Sequence, residues 1–129
     1  MILLFDVGNT SIKIGLAENN QIKKVYRINT VSNKTPDLYA VDLNNLFEPN
    51  QIKAVVIGSV VPEVTLTLKI LAKRLYHVEP IVIEPGVKTG IRLQTDYPQE
   101  VGADIIAACA AINDPRPTVI VDLGTANKY

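Results

Sequence analysis

The sequence predicts an α/β fold built on one mixed β-sheet, and three features of its 129 residues lead to that prediction. The chain opens with three strand-like segments separated only by short turn signals, which is the pattern of an antiparallel β-meander. Three segments with apolar residues at helical spacing follow, and each begins at a proline. Short apolar runs alternate with these helices, and such alternation predicts a sheet with helices on its faces.

The three N-terminal strands follow from their apolar patterns. Residues 2–7 are a short apolar run followed by the turn signal Gly-Asn-Thr, so a buried strand is expected there. Ile12, Ile14 and Leu16 alternate along the second segment, and the polar stretch ENNQ provides the next turn. The third segment, 22–30, alternates less regularly. Together they predict an antiparallel meander.

Each predicted helix begins at a proline. Thr35 can cap the first helix and Pro36 suits its first position, while Pro62 and Pro98 begin the other two. Helical spacing then predicts which apolar residues face the core. They are Leu38, Val41 and Leu46, then Val64, Leu68, Leu71 and Leu75, then Val101, Ile105, Cys109 and Ile112.

The remaining strands are predicted at 52–60, 80–86 and 118–121. The first of these is rich in β-branched residues and apolar enough to be buried on both faces. The resulting order, βββαβαβαβ, is the pattern of the ribonuclease-H-like fold, which includes the halves of the actin, sugar kinase and Hsp70 superfamily. A first sheet of five strands is expected.

Composition narrows the classes of function. The chain has 13 basic and 13 acidic residues, so its formal net charge is zero, and no electrostatic attraction to nucleic acid or to an acidic membrane is expected. A single cysteine, Cys109, fits a reducing cytoplasm. The N-terminus carries Asp6 and no basic leader, so no signal peptide is expected, and no apolar run reaches membrane-spanning length.

The segment DVGNTSIK, residues 6–13, carries the first candidate chemistry. Asp6 ends a predicted strand, at the sheet edge where ligands bind in α/β folds, and it could hold Mg²⁺ through water. Gly8 allows a positive φ and close approach of the backbone to a ligand. Asn9, Thr10 and the nearby amides could donate to phosphate oxygens, and Lys13 adds a positive charge.

A plain hairpin explains the same residues, because Asp, Gly, Asn and Thr are common in tight turns. A second turn, Asp122-Leu123-Gly124-Thr125, follows the last predicted strand in the same way. The repetition favours phosphate binding, since two such turns facing each other could hold a triphosphate.

Five segments resemble the type III pantothenate kinase family and occur in the family's order. They are LLFDVGNTSIK at the N-terminus, GSVVP at 58–62, KTGI at 88–91, PQEVGAD at 98–104 and VDLGTA at 121–126. The resemblance implies ATP-dependent phosphorylation of pantothenate, the first step of coenzyme A synthesis. It also implies a homodimeric, cytoplasmic enzyme, the N-terminal half of an actin-like ATPase-fold kinase, that uses Mg²⁺ and a monovalent cation, K⁺ or NH₄⁺.

The resemblance assigns roles to individual residues. ATP would be bound by Asp6, Val7, Gly8, Asn9, Thr10, Ser11, Ile12, Lys13 and Thr125. Pantothenate would be bound by Gly102, Ala103, Asp104 and Ile105, with Asp104 as the catalytic base. Asp122 would hold the monovalent cation, and Asp6 would hold Mg²⁺ through water.

The chain departs from the family pattern at two places. The pattern continues Gly-Ala-Asp-Arg, whereas Ile105 follows Asp104 here and offers no donor to a substrate oxygen. After Ala126 the family would continue into a second half, so we expect a domain over 1–117 and, over 118–129, the first strand and turn of a second domain. That strand is expected to be loosely held, domain-swapped or paired with another copy of the chain, because an apolar edge strand is prone to pair.

Two other functions and several simpler roles stay open. Asp6, Asp104 and Asp122 could hold two metals in a nuclease, although the neutral charge argues against it. A non-catalytic relative that binds or regulates is the stronger alternative, because Ile105 replaces an arginine. His77 is expected to cap a helix end or to lie on the surface rather than to act as a catalytic base, and Cys109 is expected to lie in the core. Tyr39 and Tyr76 are expected to pack with exposed hydroxyls.

Overall fold

A computed structural model describes residues 1–123 and 127–128 of the protein. Its centre is a five-stranded mixed sheet of order β3-β2-β1-β4-β5. The strands are β1 Ile2–Val7, β2 Ser11–Glu18, β3 Gln21–Asn29, β4 Ala54–Ser59 and β5 Ile81–Val82. The α-helices of the described residues are α1 Pro36–Asn44, α2 Pro62–Leu71 and α3 Ala103–Ala110. Shorter turns are the 3₁₀-helices Pro49–Gln51 and Pro98–Glu100 and the π-helical turn Ala72–Tyr76.

The predicted meander is confirmed. β1 and β2 are antiparallel, as are β2 and β3, whereas β4 pairs parallel to β1 and β5 parallel to β4. Asn19 and Asn20 form the two-residue connection between β2 and β3, with φ of 53° and 59°. Asparagine tolerates this left-handed backbone, which matches the twist of a hairpin.

The main core lies between one face of the sheet and the helices α1 and α2. Alternate residues of β1, β2 and β4 point to this face, because side chains alternate along a strand. The strands contribute Leu3, Phe5, Val7, Ile12, Ile14, Leu16, Val55 and Ile57, and the helices contribute Tyr39, Leu43, Val64, Leu68 and Leu71.

The helix α3 lies over the opposite face, so the prediction of helices on both faces is confirmed. Ala103 and Ala107 of α3 line a cavity together with Leu4, Val56 and Gly58 of the sheet. Cover on this face is incomplete, since Leu4 and Val56 are only half-buried. The prediction that 52–60 is buried on both faces is therefore wrong.

The predicted core face is correct for α2 and wrong for α1. Leu38 and Val41 of α1 are 55% and 59% exposed, whereas Tyr39 and Leu43 are buried. Tyr39 can enter the core because its hydroxyl donates to the Val31 carbonyl at 3.2 Å. This hydrogen bond satisfies the polar end of the side chain.

The third helix shows the same kind of error. Ala103 and Ile106 are its buried residues, while Ile105 is 40% exposed. Cys109 is half-buried rather than part of the core. The helix begins at Ala103 rather than Pro98, since a 3₁₀ turn and Val101 and Gly102 come first. The later start turns a different stripe towards the sheet.

Smaller predictions divide in the same way. His77 ends the helical segment in the left-handed region, with φ of 56°, as expected of a cap. Tyr76 is buried and its hydroxyl has no partner among the described residues, so the prediction of an exposed hydroxyl is wrong. The strand predicted over 80–86 is limited to β5.

The segment after α3 also differs from the prediction. No strand forms over 118–121; instead β6, Asp122–Leu123, pairs antiparallel with β7, Asn127–Lys128, in a separate two-stranded sheet. The apolar side chains of 118–121 are not covered by a sheet; Val119, for example, is 81% exposed. Across residues 1–123 and 127–128, no helix has both the length and the apolar character needed to span a bilayer.

Candidate functional site

Four charged side chains from separate parts of the chain line one cavity of about 470 Å³. Asp6 is the second-last residue of β1, Lys13 lies on β2, Asp104 is the second residue of α3 and Asp122 lies on β6. The remaining lining is mostly apolar and belongs to the incompletely covered face of the sheet. The cavity thus combines carboxylates and an ammonium group with an apolar wall.

Asp6 and Lys13 form an ion pair across the first two strands. Their Cα atoms are directly opposed in the β1–β2 register, and Lys13 Nζ lies 3.2 Å from Asp6 Oδ2. Both side chains are about half exposed, at 58% and 52%. A half-exposed pair is weak, so either group can exchange its partner for a ligand at low cost.

The turn between β1 and β2 leaves backbone donors open. Gly8 N donates to Ser11 O at 3.0 Å, and Thr30 N donates to Thr10 O at 3.0 Å. The Thr30 hydroxyl donates to Gly8 O at 2.7 Å. These bonds occupy carbonyl groups of the turn, whereas the amides of Asn9 and Thr10 have no protein acceptor within the described residues. Open amides in a turn are a common anion-binding arrangement.

The constraint at Gly8 is the closeness of Ser11 O to the space that a side chain would fill, not the backbone angle of Gly8. A Cβ at this position would lie 3.2 Å from Ser11 O, which is tighter than ordinary contact. Its φ is outside the left-handed region, where the positive-φ glycines are Gly86 and Gly90. Gly8 therefore does not use the positive φ that glycine allows, and the close approach of its backbone to a ligand stays a prediction.

The predicted ATP-binding residues differ in how far their side chains are exposed. Asn9 and Thr10 are exposed, and Ser11 is half-buried. Val7 and Ile12 are 1% and 0% exposed in the core, so only their backbones could reach a ligand. Thr125 lies outside the described residues.

Asp104 is held at the first turn of α3. Gly102 is the N-cap residue and Ala103, which is buried, begins the helix. One oxygen of Asp104 accepts from the Ile105 amide at 2.9 Å. A Cβ on Gly102 would lie 2.6 Å from that oxygen, so only glycine leaves the carboxylate room in this position. A carboxylate is also stabilised at a helix N-terminus.

Ile105 lines a second cavity that adjoins the first. Its volume is about 370 Å³, and Asp104 and Asp122 line both cavities. The other lining residues of the second cavity come from α3 and the 118–122 segment. Ile105 is thus placed beside the carboxylates, not in the core as the helical pattern predicted.

The acidic residues of the site do not form a metal cluster by themselves. Within the described part of the chain, no group of three or more His, Cys, Asp or Glu side chains has metal-binding geometry. Mg²⁺ is commonly held by one or two carboxylates, with phosphate oxygens and water completing its shell. The exposed Asp6 carboxylate fits that mode of binding.

Sequence reasoning missed Thr30, which lies one residue beyond β3 and contacts the turn twice. Thr30 follows a strand with irregular alternation, and no sequence motif includes it. The only available signal was the predicted meander, which brings the end of the third strand next to the start of the second.

Comparisons with known proteins identify the family of the chain. A family model described as type III pantothenate kinase matches residues 2–129. A protein of Acholeplasma laidlawii (strain PG-8A), named type III pantothenate kinase, is 53% identical over 128 residues. The match covers 99% of this chain and 52% of that protein, so the chain spans about half the length of this relative. The chain belongs to the type III pantothenate kinase family.

Proposed function

We propose that this chain provides the phosphate-binding and acceptor-activating part of an ATP:pantothenate phosphotransferase. One observation carries the proposal: Asp6, Lys13, Asp104 and Asp122, from separate parts of the chain, line a single cavity of about 470 Å³. The cavity is open to one side of the sheet, beside a turn with free amides. Membership of the family supplies the reaction.

The turn and Lys13 are assigned to the phosphates of ATP. Phosphoryl transfer passes through a loose transition state, so catalysis depends mainly on positioning and on stabilising charge. The open amides of Asn9 and Thr10 suit the phosphate oxygens. Lys13 can leave Asp6 for a phosphate, because their pair is half exposed. Val7, Gly8, Ser11 and Ile12 would contribute through their backbone.

Asp104 is assigned as the general base. It lines the same cavity as Asp6 and Lys13 but belongs to a different element, and there it could accept the proton of a hydroxyl acceptor. Gly102 and Ala103 place its carboxylate at the helix start. Pantothenate carries the required hydroxyl, and the apolar wall of the cavity suits its carbon skeleton.

Two cations belong to the same proposal. Asp6 would hold Mg²⁺ through water, where the ion would neutralise charge on the phosphates. Asp122 would contribute to a site for a monovalent cation, K⁺ or NH₄⁺. A homodimer, a cytoplasmic location and a domain boundary near residue 117 are further parts of the proposal.

A non-catalytic relative is the second candidate. Ile105 favours it, because the side chain after Asp104 faces the second cavity and offers no donor. Such a protein would keep the phosphate turn and bind nucleotide without transferring its phosphoryl group.

The test is a phosphoryl-transfer assay on the protein that carries this chain. Incubation with Mg-ATP and pantothenate should produce ADP and phosphopantothenate in equal amounts, which mass spectrometry can quantify. Asp104→Asn should lower kcat by at least about 10²-fold, because an amide cannot accept the proton. The matched control is Asp37→Asn, an exposed aspartate on α1, which should retain activity. ATP binding without phosphopantothenate would favour the non-catalytic candidate.

A further inference from the structure

We propose that strand β3 completes the phosphate site, with Thr30 as a positioning residue for the turn and Arg27 as a phosphate-binding residue. The inference rests on the proposed function, since it concerns the same phosphate site. It adds a third strand to a site that the sequence motif places only on β1 and β2.

Thr30 fixes the turn from behind at two points. Its hydroxyl donates to Gly8 O at 2.7 Å, and its amide donates to Thr10 O at 3.0 Å. Two carbonyl groups flanking Asn9 are therefore held towards β3. The Gly8 carbonyl and the Asn9 amide belong to one planar peptide group, so a carbonyl held towards β3 turns the Asn9 amide away from β3, where a ligand can reach it. Thr30 thus determines the donor geometry without contacting the phosphate itself.

Arg27 lies in the same row as Asp6 and Lys13. Asp6 is opposite Lys13 in the β1–β2 register, and Lys13 is opposite Arg27 in the β2–β3 register. Directly opposed residues point to the same face of a sheet. Arg27 is exposed and, among residues 1–123 and 127–128, its side chain has no hydrogen bond or ion pair. Its guanidinium is therefore available beside Lys13, three residues before Thr30.

The charges of the site explain why a second basic residue is needed. Among the described side chains of the cavity, three are carboxylates and one, Lys13, is basic and already paired with Asp6. A polyphosphate would meet a net negative surface there. Arg27 is the adjacent positive charge that no acidic side chain neutralises within the described residues. A guanidinium also matches phosphate oxygens through paired donors.

The Thr30 test uses the 129-residue chain, labelled for NMR, and inorganic tripolyphosphate as the probe. Thr30→Val should speed hydrogen exchange at the Gly8 amide and weaken tripolyphosphate binding roughly fivefold, the change expected for one hydrogen bond. Thr30→Ser should restore both values because it keeps the hydroxyl. Thr67→Val is the matched control, since Thr67 also donates to a backbone carbonyl, Glu63 O, but on α2.

The Arg27 test uses the same probe. Arg27→Gln should weaken tripolyphosphate binding about tenfold, as expected for a hydrogen bond between charged groups, and the effect should shrink at high salt. Lys24→Gln is the matched control, because it removes the same charge from β3 at a position opposite Leu16 rather than Lys13. That variant should bind within about twofold of the wild type.

The outcomes separate the two proposals. If the wild type binds tripolyphosphate at Asn9 and Thr10 while Thr30→Val and Arg27→Gln bind equally well, the assignment to β3 is overturned and the phosphate turn stands. If Thr30→Val only lowers the melting temperature, its role is structural and the positioning role is rejected. If the wild type shows no shifts at the turn, the phosphate site of the proposed function and its extension to β3 are both rejected.

Discussion

Ile105 follows Asp104 in the segment that we propose to bind the substrate, and its surroundings define a test. The side chain is 40% exposed and lines a cavity of about 370 Å³ beside Asp104. An arginine there could extend into the cavity without disturbing the buried residues of α3. The position is therefore suited to contact with substrate, whichever side chain occupies it.

We expect Ile105→Arg to raise pantothenate turnover roughly 10²-fold in the protein that carries this chain, if the lost contact is worth about 3 kcal/mol. The measurement is kcat/KM for pantothenate by ADP release. Ile112→Arg, two residues beyond the end of α3 and 36% exposed, is the control and should change little. Full activity of the isoleucine protein, with no gain in the arginine variant, would mean that another donor holds the substrate. Unfolding of Ile105→Arg would mean that the residue supports the core.

Tyr76 is a second residue with a measurable consequence. It is 7% exposed, its hydroxyl has no partner among the described residues, and burial raises the pKa of the phenol. Because the folded-state pKa lies above the unfolded-state value of about 10, folding favours the protonated form. Its contribution to stability is complete below pH ~10 and falls as pH rises above it.

Tyr76→Phe should therefore equal or exceed the wild type in stability, by up to about 1 kcal/mol at pH 8, since it removes an unsatisfied hydroxyl. The variant should also lose less stability than the wild type between pH 9 and pH 11. Urea unfolding at both pH values measures this difference, with Tyr97→Phe, 63% exposed, as the control. A Tyr76→Phe variant destabilised by more than about 1 kcal/mol would reveal a buried partner for the hydroxyl.

At the scale of elements, α1 presents a face that its sequence does not predict. Leu43 is fully buried against the sheet, while Leu38 is 55% exposed on the same helix. Leu43→Ala should cost about 2–5 kcal/mol in the free energy of unfolding, because it removes buried carbon and leaves a cavity. Leu38→Ala should change it by less than about 0.5 kcal/mol. Equal losses, measured by chemical denaturation, would show that the helix is rotated from this position.

Sequence patterns predicted the existence of strands and helices better than they predicted which face of each helix is buried. The existence of β1 to β4 and of three helices followed from apolar runs, turn signals and prolines. The buried face of α1 did not, because two apolar stripes compete and the hydrogen bond that admits Tyr39 to the core is a tertiary contact. The predicted length of β5 was also wrong, because a strand needs a partner along its whole length and only Ile81–Val82 pairs with β4.

The candidate site was predictable where its chemistry is local. Asp6, Lys13 and the turn between them follow from one short segment. That Asp104 and Asp122 line the same cavity required the family resemblance, and the structure places them there. Thr30 and Arg27 could not be found from the motif, because their role depends on the β2–β3 register.

For the molecule as a whole, the site joins parts that belong to different structural units. The turn and Lys13 lie on the five-stranded sheet, Asp104 lies on α3, and Asp122 lies on the separate β6–β7 ladder. The face of the sheet with Ile22 and Val25, 55% and 62% exposed, forms part of the lining of the same cavity.

A crystal structure of the protein that carries this chain, with a non-hydrolysable ATP analogue, Mg²⁺ and pantothenate, tests the central claim most directly. The account predicts phosphate oxygens on the Asn9 and Thr10 amides and a pantothenate hydroxyl within about 3 Å of the Asp104 carboxylate. Phosphates bound instead in the cavity formed by residues 84–93, Pro98 and Ile106, or an acceptor bound away from Asp104, would contradict it.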